Sequence, residues 1–442
     1  MIPFLKNKRN VDYLGCLAAV ALGAVIYSNS FKVPFHFDDN LTIIENNLIK
    51  SLNNPALLWR FDPSRFFTYF SFAVNYYYGK LNTAGYHAVN LALHLGVTAL
   101  VYFFIRLLVN LHRSLSDTRE RRWVPLLTAL IFVSHPLQTQ AVTYISQRST
   151  LLAALSYFGT VILYFFYRRD KKKEYYLGAA GVFFLGLFTK PIIVTLPLAL
   201  VLLEVFFKKE FSDDADSLKW IKGIGKRVLP FLLMALSVPA LLAMWKYSAA
   251  DWEHYIAMTR ETRKFTRYEY LLTQFNVLMT YVRLLFVPYG QNLDYDYPIA
   301  RSFFIFPTWL SFFGVMSLVI LAVRQFRKNP LISFGIFWMF VTLSLESSLF
   351  PISDVINEHR LYLPMAGFGL AVTAALIRLF HSRTILVSVF GIVIAVFSVL
   401  SYIRNEAWGD KPAFWQDIAR KSPNKARVHN NLGIIYADAG RV

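Results

Sequence analysis

The sequence predicts an all-α membrane protein with many spanning helices, and three observations support this fold class. Of its 442 residues, 56% are hydrophobic and 17% are aromatic. Charged residues make up only 17%, against about 25% in soluble domains, and they lie in short groups between long apolar runs. Many of these runs approach 20 residues, which is the length that an α-helix needs to cross the hydrocarbon core of a bilayer.

About eleven apolar segments are predicted to span the membrane. They cover residues 11–29, 86–108, 123–140, 148–167, 176–189, 190–207, 228–247, 303–323, 331–350, 359–380 and 384–403. The first segment is long for a signal-peptide core and has no clear cleavage site, so we interpret it as a retained anchor. The single cysteine, Cys16, lies within that segment and can form no intrachain disulfide.

The basic connectors predict the orientation of the helices, because Lys and Arg accumulate in cytoplasmic loops. With eleven spans, one side receives the basic connectors: the N-terminus, 106–122, 168–173, 208–227, 324–328 and 381–383. The non-cytoplasmic side receives 30–85, 135–147, the chain around 190, 248–302, 351–358 and everything after 403. The net charge of +19 therefore reflects topology and contact with anionic lipid headgroups, and we exclude a nucleic-acid partner.

The apolar segment 272–288 is short, and Arg283 lies in its middle. As a twelfth span it would move Arg324, Arg327 and Lys328 to the outer side, against the trend of the other connectors. We therefore interpret this segment as an interfacial or re-entrant helix.

We expect two parts, a membrane domain over residues 1–403 and a soluble tail over 404–442. Within the membrane domain, the first outer loop, 30–85, is rich in aromatic residues. Aromatic rings with a polar tip favour the membrane interface, so this loop should contain helices that lie along the surface, and it is the best place for chemistry. The outer region 248–302 is the second long connector on that side.

The tail contains a pattern typical of a tetratricopeptide repeat. Residues 423–440 fit the first helix of such a repeat, with Leu432, Gly433 and Tyr436 at packing positions. One repeat cannot bury its own apolar face. Either the sequence is truncated within the repeat, or the tail docks elsewhere; a chance helical tail is the alternative.

An acidic pair, Asp38 and Asp39, follows the first span directly. Two adjacent carboxylates can bind a divalent cation such as Mg²⁺ or Mn²⁺, or one can take a proton from an attacking hydroxyl while the other orients it. Burial and mutual repulsion would raise the pKa of one of them. A helix cap with a turn is the alternative interpretation.

Four cationic residues, Arg65, Arg148, Lys190 and Arg360, lie at predicted outer ends of spans. Charges at such positions are costly and usually functional. If they converge on one pocket, they would bind phosphate, arginine through its planar fork and lysine as a point charge. The alternative for each is a snorkelling side chain or a local ion pair, for example between Arg360 and Glu358.

Other polar residues also lie at or near membrane level. His87 and His94 are two turns apart on one helix face and could share a ligand or a metal, although a lone histidine is more often a hydrogen-bonded core residue. Asp294 and Asp296 fit a pocket or a turn equally well. The remaining candidates are His135 and Gln140, which follow one span, and the group Glu358, His359, Arg360 and Tyr362, which opens another.

The sequence contains no glycine-rich phosphate loop, nucleophile elbow or zinc signature. An enzyme of this kind needs no nucleotide. Outer membrane faces lack nucleotides, so this favours a substrate that is activated as a lipid phosphate.

Five features, in this order, resemble the GT-C superfamily of membrane glycosyltransferases. They are the acidic pair after the first span, RFFTYFSFAVNYYYGKLNTAGYHAVNLALH, HPLQTQAVTYISQRSTLLAALS, FTKPIIVTLPLALVLLEVFF and INEHRLYLPMAGFGL. Together with the repeat-like tail, they resemble the transmembrane-and-tetratricopeptide-repeat O-mannosyltransferases and their bacterial relatives. The resemblance covers nearly the whole chain.

The resemblance implies that a mannose-like sugar passes, with inversion, from a polyisoprenyl phosphate to an acceptor hydroxyl at the outer or lumenal face. It implies that Asp38 or Asp39 is the general base, and also the metal ligand if a metal is used. Gln140 stands where eukaryotic members tend to have Glu. The predicted donor-binding residues are Arg65, His87, His135, Gln140, Arg148, Lys190, Glu358, His359, Arg360 and Tyr362.

The expected partners are a polyisoprenyl-phosphate sugar, a protein or lipid-linked acceptor, and membrane lipids. We expect the bacterial inner membrane with the site facing the periplasm, or the lumen of the endoplasmic reticulum in a eukaryote. A transporter or flippase for a lipid-linked sugar is an alternative, but the internal repeats typical of transporters are not apparent. A non-catalytic scaffold that presents repeats is another, and it leaves the acidic pair without a role.

Overall fold

In the computed structural model, the chain is a bundle of α-helices. The structure describes residues 9–111, 118–211, 216–246, 262, 264–347, 350–438 and 440. Its longer helices are α1 Arg9–Ile26, α2 Pro55–Phe61, α3 Phe66–Gly79, α4 Thr83–Leu111, α5 Thr118–Ser134, α6 Arg148–Asp170, α7 Lys173–Gly186, α8 Leu196–Phe206, α9 Ser217–Lys246, α10 Arg267–Phe286, α11 Thr308–Lys328, α12 Pro330–Leu343, α13 Pro364–Leu379, α14 Arg383–Gly409, α15 Lys411–Lys421 and α16 Ala426–Asp438. No strand occurs among the residues that the structure describes. The predicted all-α class is confirmed.

Eleven of these helices coincide with the predicted spanning segments: α1, α4 to α9, and α11 to α14. Among the described residues, five helical stretches are apolar and long enough to cross a membrane: α4, Ile145–Asp170, Leu218–Leu242, α11 and α14. Four more apolar helices, Tyr13–Ile26, Pro191–Phe206, α12 and α13, are shorter. The chain is therefore an integral membrane protein.

The connectors that were predicted to be outer meet at one end of the bundle. Ser146, between α5 and α6, donates its backbone N–H to Asp39 of the first outer loop at 2.7 Å. The Thr68 hydroxyl of the same loop donates to the carbonyl oxygen of Thr189, between α7 and α8, at 3.3 Å. Contacts between connectors that are far apart in sequence therefore build a continuous polar layer at this end.

The predicted cytoplasmic connectors meet at the opposite end. Buried Glu204 of α8 accepts hydrogen bonds from Arg168 of α6 at 3.2 Å and from Arg227 of α9 at 2.9 Å. Arg119 of α5 donates to the carbonyl oxygen of Phe380, after α13, at 2.8 Å. The two ends thus divide the connectors as the basic residues predict. Which end faces the cytoplasm stays a prediction.

Helix α10 lies along the outer end of the bundle. The Tyr270 hydroxyl donates to the carbonyl oxygen of Glu346 at 2.5 Å, and the Tyr281 hydroxyl to that of Asn357 at 2.9 Å. In a spanning helix these two tyrosines would lie about 16 Å apart in depth, yet both bond to the same outer connector. This is the arrangement expected of an interfacial helix over 272–288.

The polar tail docks onto the outer end. Helix α14 continues past the predicted boundary at residue 403, and α15 and α16 follow it as a helical pair. Trp408, Trp415 and Val428 of this tail share a buried apolar cluster with Val33 and Tyr144 of the outer loops. The apolar face that one repeat cannot cover by itself is covered here by the membrane domain.

The division into 1–403 and 404–442 remains a prediction. Part of the predicted outer region 248–302 lies outside the described residues, because the structure describes this region only at residue 262 and from 264 onwards.

Candidate functional site

The acidic pair lies on a tight turn that follows α1. Phe37 has a φ of 45°, which is a left-handed conformation that few residues with a Cβ adopt. The N–H of Asp39 donates to the carbonyl oxygen of His36 at 2.9 Å and closes the turn. A π-helical turn, Asn40–Ile44, follows directly, and such turns are rare and frequent at functional sites. The turn gives Asp38 and Asp39 different surroundings.

Asp39 is buried and fully engaged by protein donors. One carboxylate oxygen accepts from the Ser146 N–H at 2.7 Å and from the Ser146 hydroxyl, and the other accepts from the His36 N–H at 3.0 Å. Burial raises the pKa of Asp39 to about 7, although these donors lower it. Asp39 therefore ties the acidic turn to the connector before α6.

Asp38 is the carboxylate that stays half-exposed. Its N–H donates to the Tyr144 hydroxyl at 2.8 Å. Burial raises the pKa of the Asp38 carboxyl, and hydrogen bonding to Tyr144 and the positive charges of Arg427 and Arg65 oppose the rise. Of the two predicted carboxylates, Asp38 is the one that a substrate can approach.

The acidic pair does not fit a divalent metal. Mg²⁺ and Mn²⁺ take about six ligands, mostly oxygens, whereas both oxygens of Asp39 already accept hydrogen bonds from Ser146 and His36. Within the described part of the chain, no group of three or more His, Cys, Asp or Glu side chains could hold a metal ion. The pair instead fits proton transfer by Asp38, with Asp39 holding the turn that carries Asp38 in place.

Lys190 is the centre of a cationic group across the outer end. It is only 8% exposed, and its ammonium donates to the Thr150 hydroxyl at 2.8 Å. Burial lowers the pKa of Lys190 to about 8; the carboxylate of Glu346 opposes this change, and the charges of Arg65 and Arg360 add to it. The two arginines and Lys190 therefore lie within electrostatic range of one another.

Arg65 completes the cationic group, and the neutral ring of His359 lies beside it. The backbone N–H of His359 donates to the side-chain oxygen of Gln140 at 2.6 Å. Burial, followed by the charges of Lys190, Arg360 and Arg65, lowers the pKa of His359 well below its usual value, so the ring is neutral. Among the described residues, the guanidinium of Arg65 has no hydrogen-bonded partner. Its donors remain available to a ligand.

Arg360 is held in place by the connector before it. Its guanidinium donates to the carbonyl oxygens of Asp354 at 2.7 Å and Val355 at 3.1 Å, and its Nε lies 3.8 Å from the carboxylate of Glu346. The ion pair with Glu358 that was considered from the sequence is therefore not the one formed.

Arg148 lies outside this pocket. It is fully buried and donates to the side-chain oxygens of Asn90 and Ser71 at 2.8 and 3.0 Å and to the carbonyl oxygen of Tyr86 at 3.0 Å. Its guanidinium also lies 4.6 Å from the ring centre of Phe72. We correct the sequence-based expectation here, because a fully buried guanidinium whose three nitrogens each donate to a protein oxygen is not accessible to a phosphate. Arg148 joins α6 to α3 and α4.

The two histidines of α4 bond to protein groups. His87 Nε2 lies 2.9 Å from the carbonyl oxygen of Val33, and His94 Nδ1 lies 2.8 Å from the hydroxyl of Tyr362. All of these polar side chains are buried. His87 and Tyr362 therefore fit the core interpretation, and the structure does not bring them to the pocket.

His135 and Glu358 also order the backbone around them. His135 Nε2 bonds to the carbonyl oxygen of Leu285 at 3.0 Å, which fixes the end of α10. The Glu358 carboxylate accepts from the Asn292 N–H at 2.6 Å and from the Tyr295 hydroxyl at 2.7 Å. Neither side chain faces the pocket, so we leave both out of the donor site. Gln140 acts indirectly, through His359.

An apolar groove lies beneath α10, between α11, α12 and α13. It has a volume of about 190 Å³, and Tyr281 is the one lining residue with a polar side-chain group. The hydroxyl of Tyr281 bonds to Asn357, three residues before Arg360. The groove therefore ends close to the cationic group and could hold an apolar chain whose anionic head lies among the cations.

Three residues at the site were missed from the sequence. Tyr144 and Ser146 lie in the segment that begins with His135 and bond to the acidic turn. Arg427, from the tail, forms an ion pair with Asp294 at 2.6 Å. Their place in the run HPLQTQAVTYISQR, which carries part of the family resemblance, could have indicated the first two, but no sequence signal indicates Arg427.

The fold and the site together define a helical membrane protein with a polar site at one end, where a half-buried carboxylate and a group of cations lie near an apolar groove. Comparisons with known proteins agree with the resemblance predicted from the sequence. Protein O-mannosyl-transferase TMTC4 of Homo sapiens is 23% identical, over 96% of this chain and 64% of the relative. Protein O-mannosyl-transferase F38B6.6 of Caenorhabditis elegans is also 23% identical, over 96% of this chain and 60% of the relative. The resemblance to protein O-mannosyltransferases is confirmed.

The chain spans about three fifths of the length of these curated relatives. No protein-family model matches it. A solved structure of the Archaeoglobus fulgidus oligosaccharyltransferase aligns with 97% of this chain and 60% of that chain, with a TM-score of 0.42 and 10% identity. That similarity is too low to define a shared fold.

Proposed function

We propose that this protein is an inverting glycosyltransferase that moves a mannose-like sugar from a polyisoprenyl-phosphate donor to a hydroxyl of a protein acceptor, at the non-cytoplasmic membrane face. The observation that carries the proposal is the pairing of one open carboxylate, Asp38, with a cationic group at the end of an apolar groove. The similarity to named protein O-mannosyl-transferases supports the same reaction class.

The cationic group supports a phosphate-linked donor. Arg65 has unused donors, and Lys190 carries its charge below about pH 8. The leaving phosphate gains negative charge as the glycosidic bond breaks, so fixed cations stabilise the transition state more than the ground state. The groove beneath α10 has the apolar lining that an isoprenoid chain requires.

The single open carboxylate supports a direct displacement. Asp38 takes the proton of the acceptor hydroxyl. At the same time the oxygen of that hydroxyl attacks the anomeric carbon from the face opposite the phosphate. The bond from the anomeric carbon to the phosphate oxygen breaks, and the lipid phosphate leaves with the electron pair. One step of this kind inverts the configuration. Burial raises the pKa of Asp38, which makes it a stronger base.

The test is incubation of the purified protein with a panel of polyprenyl-phosphate sugars and an acceptor protein, scoring released lipid phosphate and glycosylated acceptor together. We expect Asp38→Asn to lower the transfer rate by about 10²- to 10⁴-fold. Glu45→Gln is the matched control, because Glu45 is an exposed carboxylate in the same loop and should leave transfer unchanged.

Transfer at the wild-type rate by Asp38→Asn would overturn the assignment of the base. Movement of a labelled lipid-linked sugar across liposomes, without release of lipid phosphate, would instead identify a transporter.

A further inference from the structure

The ring of Phe37 lies between two residues of the tail. The guanidinium carbon of Arg427 lies 4.8 Å from its centre, and the ring of Trp415 lies 5.9 Å away at 62°. Phe37 has the positive φ of 45°, which is unfavourable for a phenylalanine and persists only where the surroundings hold it. Both aromatic and cationic contacts to its ring come from the part of the chain after α14.

Arg427 is itself fixed by two carboxylates of the membrane domain. It forms a bidentate pair with Asp294, at 2.8 Å from Nε and 2.6 Å from a terminal nitrogen, and the same nitrogen lies 2.8 Å from Asp354. Asp294 is buried, and paired guanidinium–carboxylate contacts define the orientation of both groups. The position of Arg427 over Phe37 is therefore specified by contacts on both sides.

A second tail contact holds the residue before Phe37. His36 Nε2 lies 2.8 Å from the carbonyl oxygen of Trp408, and the His36 ring packs edge-on against Phe414 at 5.1 Å. His36 also donates its N–H to Asp39. The two residues that precede the acidic pair, His36 and Phe37, are thus both in contact with the tail.

The tail also reaches the cationic side of the pocket. The side-chain amide of Asn292 donates to the Ser422 hydroxyl at 2.8 Å, and the Asn292 backbone N–H donates to Glu358 at 2.6 Å. Glu358 directly precedes His359 and Arg360. One hydrogen-bonded path therefore joins the tail to the residues that present the cations.

We propose that the tail is a built-in part of the catalytic pocket, in which Trp415 and Arg427 clamp Phe37 and thereby aim Asp38 at the acceptor. In this assignment, which rests on the proposed function, Arg427 is a positioning residue and touches no substrate. The acceptor-facing carboxylate is oriented by the region that resembles a repeat.

The kinetic test compares Arg427→Gln with the control Arg420→Gln. Arg420 lies on the same tail, but its side chain is 78% exposed and pairs only with Asp417. For Arg427→Gln we expect a kcat about 10- to 100-fold lower, because a small misplacement of a reacting group has this effect, with the KM for the lipid donor changed less than about twofold. Arg427→Lys should recover part of the rate, since an ammonium can still lie over the ring and pair with one carboxylate.

A double-mutant cycle tests whether Arg427 acts through Phe37. Phe37→Leu removes the ring, and we expect the double variant Phe37→Leu with Arg427→Gln to be no slower than the slower single variant. If the double variant instead shows the product of the two single-variant losses in kcat, Arg427 acts independently of Phe37 and the clamp is overturned.

A pH profile separates the clamp from a merely structural role. The titratable and charged groups around Asp38 are Asp39, Arg65, Tyr69, Tyr144, Asp354 and Arg427. Loss of the positive charge at Arg427 removes one stabiliser of the ionised carboxylate, so the acidic limb of the kcat profile should move to higher pH in Arg427→Gln and stay in place in Arg420→Gln. An unmoved limb together with an unchanged kcat would contradict the proposal.

Hydrogen exchange gives a readout that does not depend on activity. The amides of Asp39 and Asn40 donate within the turn, at 2.9 and 3.1 Å, and should exchange about tenfold faster in Arg427→Gln than in the wild type. Unchanged exchange would overturn the clamp. Faster exchange in a protein whose wild type transfers no sugar would support the clamp and reject the proposed function.

Discussion

At the scale of single residues, neighbouring groups of the same type have different surroundings and therefore different capacities. Asp39 is buried under three protein donors, and Asp38 next to it is half-exposed. Two carboxylates in unlike environments can divide the work of a site, one as the base and one as its support. The sequence pattern identifies the pair, but only the local contacts assign the roles.

Lys190 provides a pH test at this scale. Its pKa is lowered to about 8, chiefly by burial, so it is charged below that pH and neutral above it. If its charge binds the donor phosphate, kcat/KM for the lipid donor should fall as the pH rises above about 8. Lys190→Arg should remove this alkaline limb, because arginine stays charged throughout the range.

Lys190→Met serves as the comparison for that experiment. It should lower kcat/KM for the donor at every pH, because no charge remains. If the alkaline limb persists in Lys190→Arg, it belongs to another group.

Arg65 and Arg148 show the limit of sequence reasoning about single residues. Both were predicted as phosphate ligands, because both lie at outer ends of helices. Arg148 is buried and donates to three protein oxygens. In contrast, no residue in the described part of the chain accepts a hydrogen bond from the guanidinium of Arg65. Their positions in the sequence predict the same role for both arginines. Only the packing of the helices shows that Arg65 is accessible to a ligand and Arg148 is not.

At the scale of elements, α12 and α13 approach each other at backbone distance. A Cβ atom added to Gly335 would lie 2.4 Å from the carbonyl oxygen of Gly367. Small residues permit such close contact between helices in a membrane. The indole N–H of Trp338 donates across the same contact to the carbonyl oxygen of Leu363 at 3.1 Å. This contact supports the connector that carries His359 and Arg360.

Gly335→Ala should therefore destabilise the protein. The added methyl group would meet the backbone of Gly367 and both the backbone and the Cβ of Ala371, none of which can rotate away, and overpacking of this kind costs about 1–3 kcal/mol. We expect a lower thermal unfolding midpoint in detergent. Gly391→Ala in α14 is the control, since nothing lies within 4 Å of a Cβ there, and it should leave the midpoint unchanged or raise it.

Equal midpoints for Gly335→Ala and Gly391→Ala would contradict the close contact between α12 and α13.

At the scale of the whole molecule, the connectors divide into two layers. The outer layer contains the candidate pocket, and the opposite layer contains the ion pairs of Glu204 with Arg168 and Arg227. The proposed donor chemistry requires the pocket to face away from the cytoplasm. The distribution of Lys and Arg predicts this orientation.

Single cysteines test the orientation. Asn53 is exposed at the end that holds the pocket, and Lys172 is exposed at the other end. In intact cells, a membrane-impermeant maleimide should label Asn53→Cys and leave Lys172→Cys unlabelled until the membrane is opened. The native Cys16 is buried and should contribute little background. The reverse labelling pattern would reject the predicted orientation.

The sequence by itself determined the class of the protein and the order of its helices. Long apolar runs can satisfy their backbone hydrogen bonds in a bilayer only as helices, so run length was enough to predict an all-α membrane protein. The number of eleven spans and the interfacial position of 272–288 stay predictions. The segments that carry the family resemblance can also be identified from the sequence alone, because each motif consists of residues that are close together in the chain.

Only the tertiary structure decided which polar residues meet. Asp38 and Arg65 come from the first outer loop, and Lys190 and Arg360 come from two further connectors, so their convergence depends on how the helices pack. The same packing buries Arg148, and it brings Arg427 of the tail over the acidic turn. Contacts between residues hundreds of positions apart leave no periodic or compositional signal in one sequence, because each depends on the fold of everything between them.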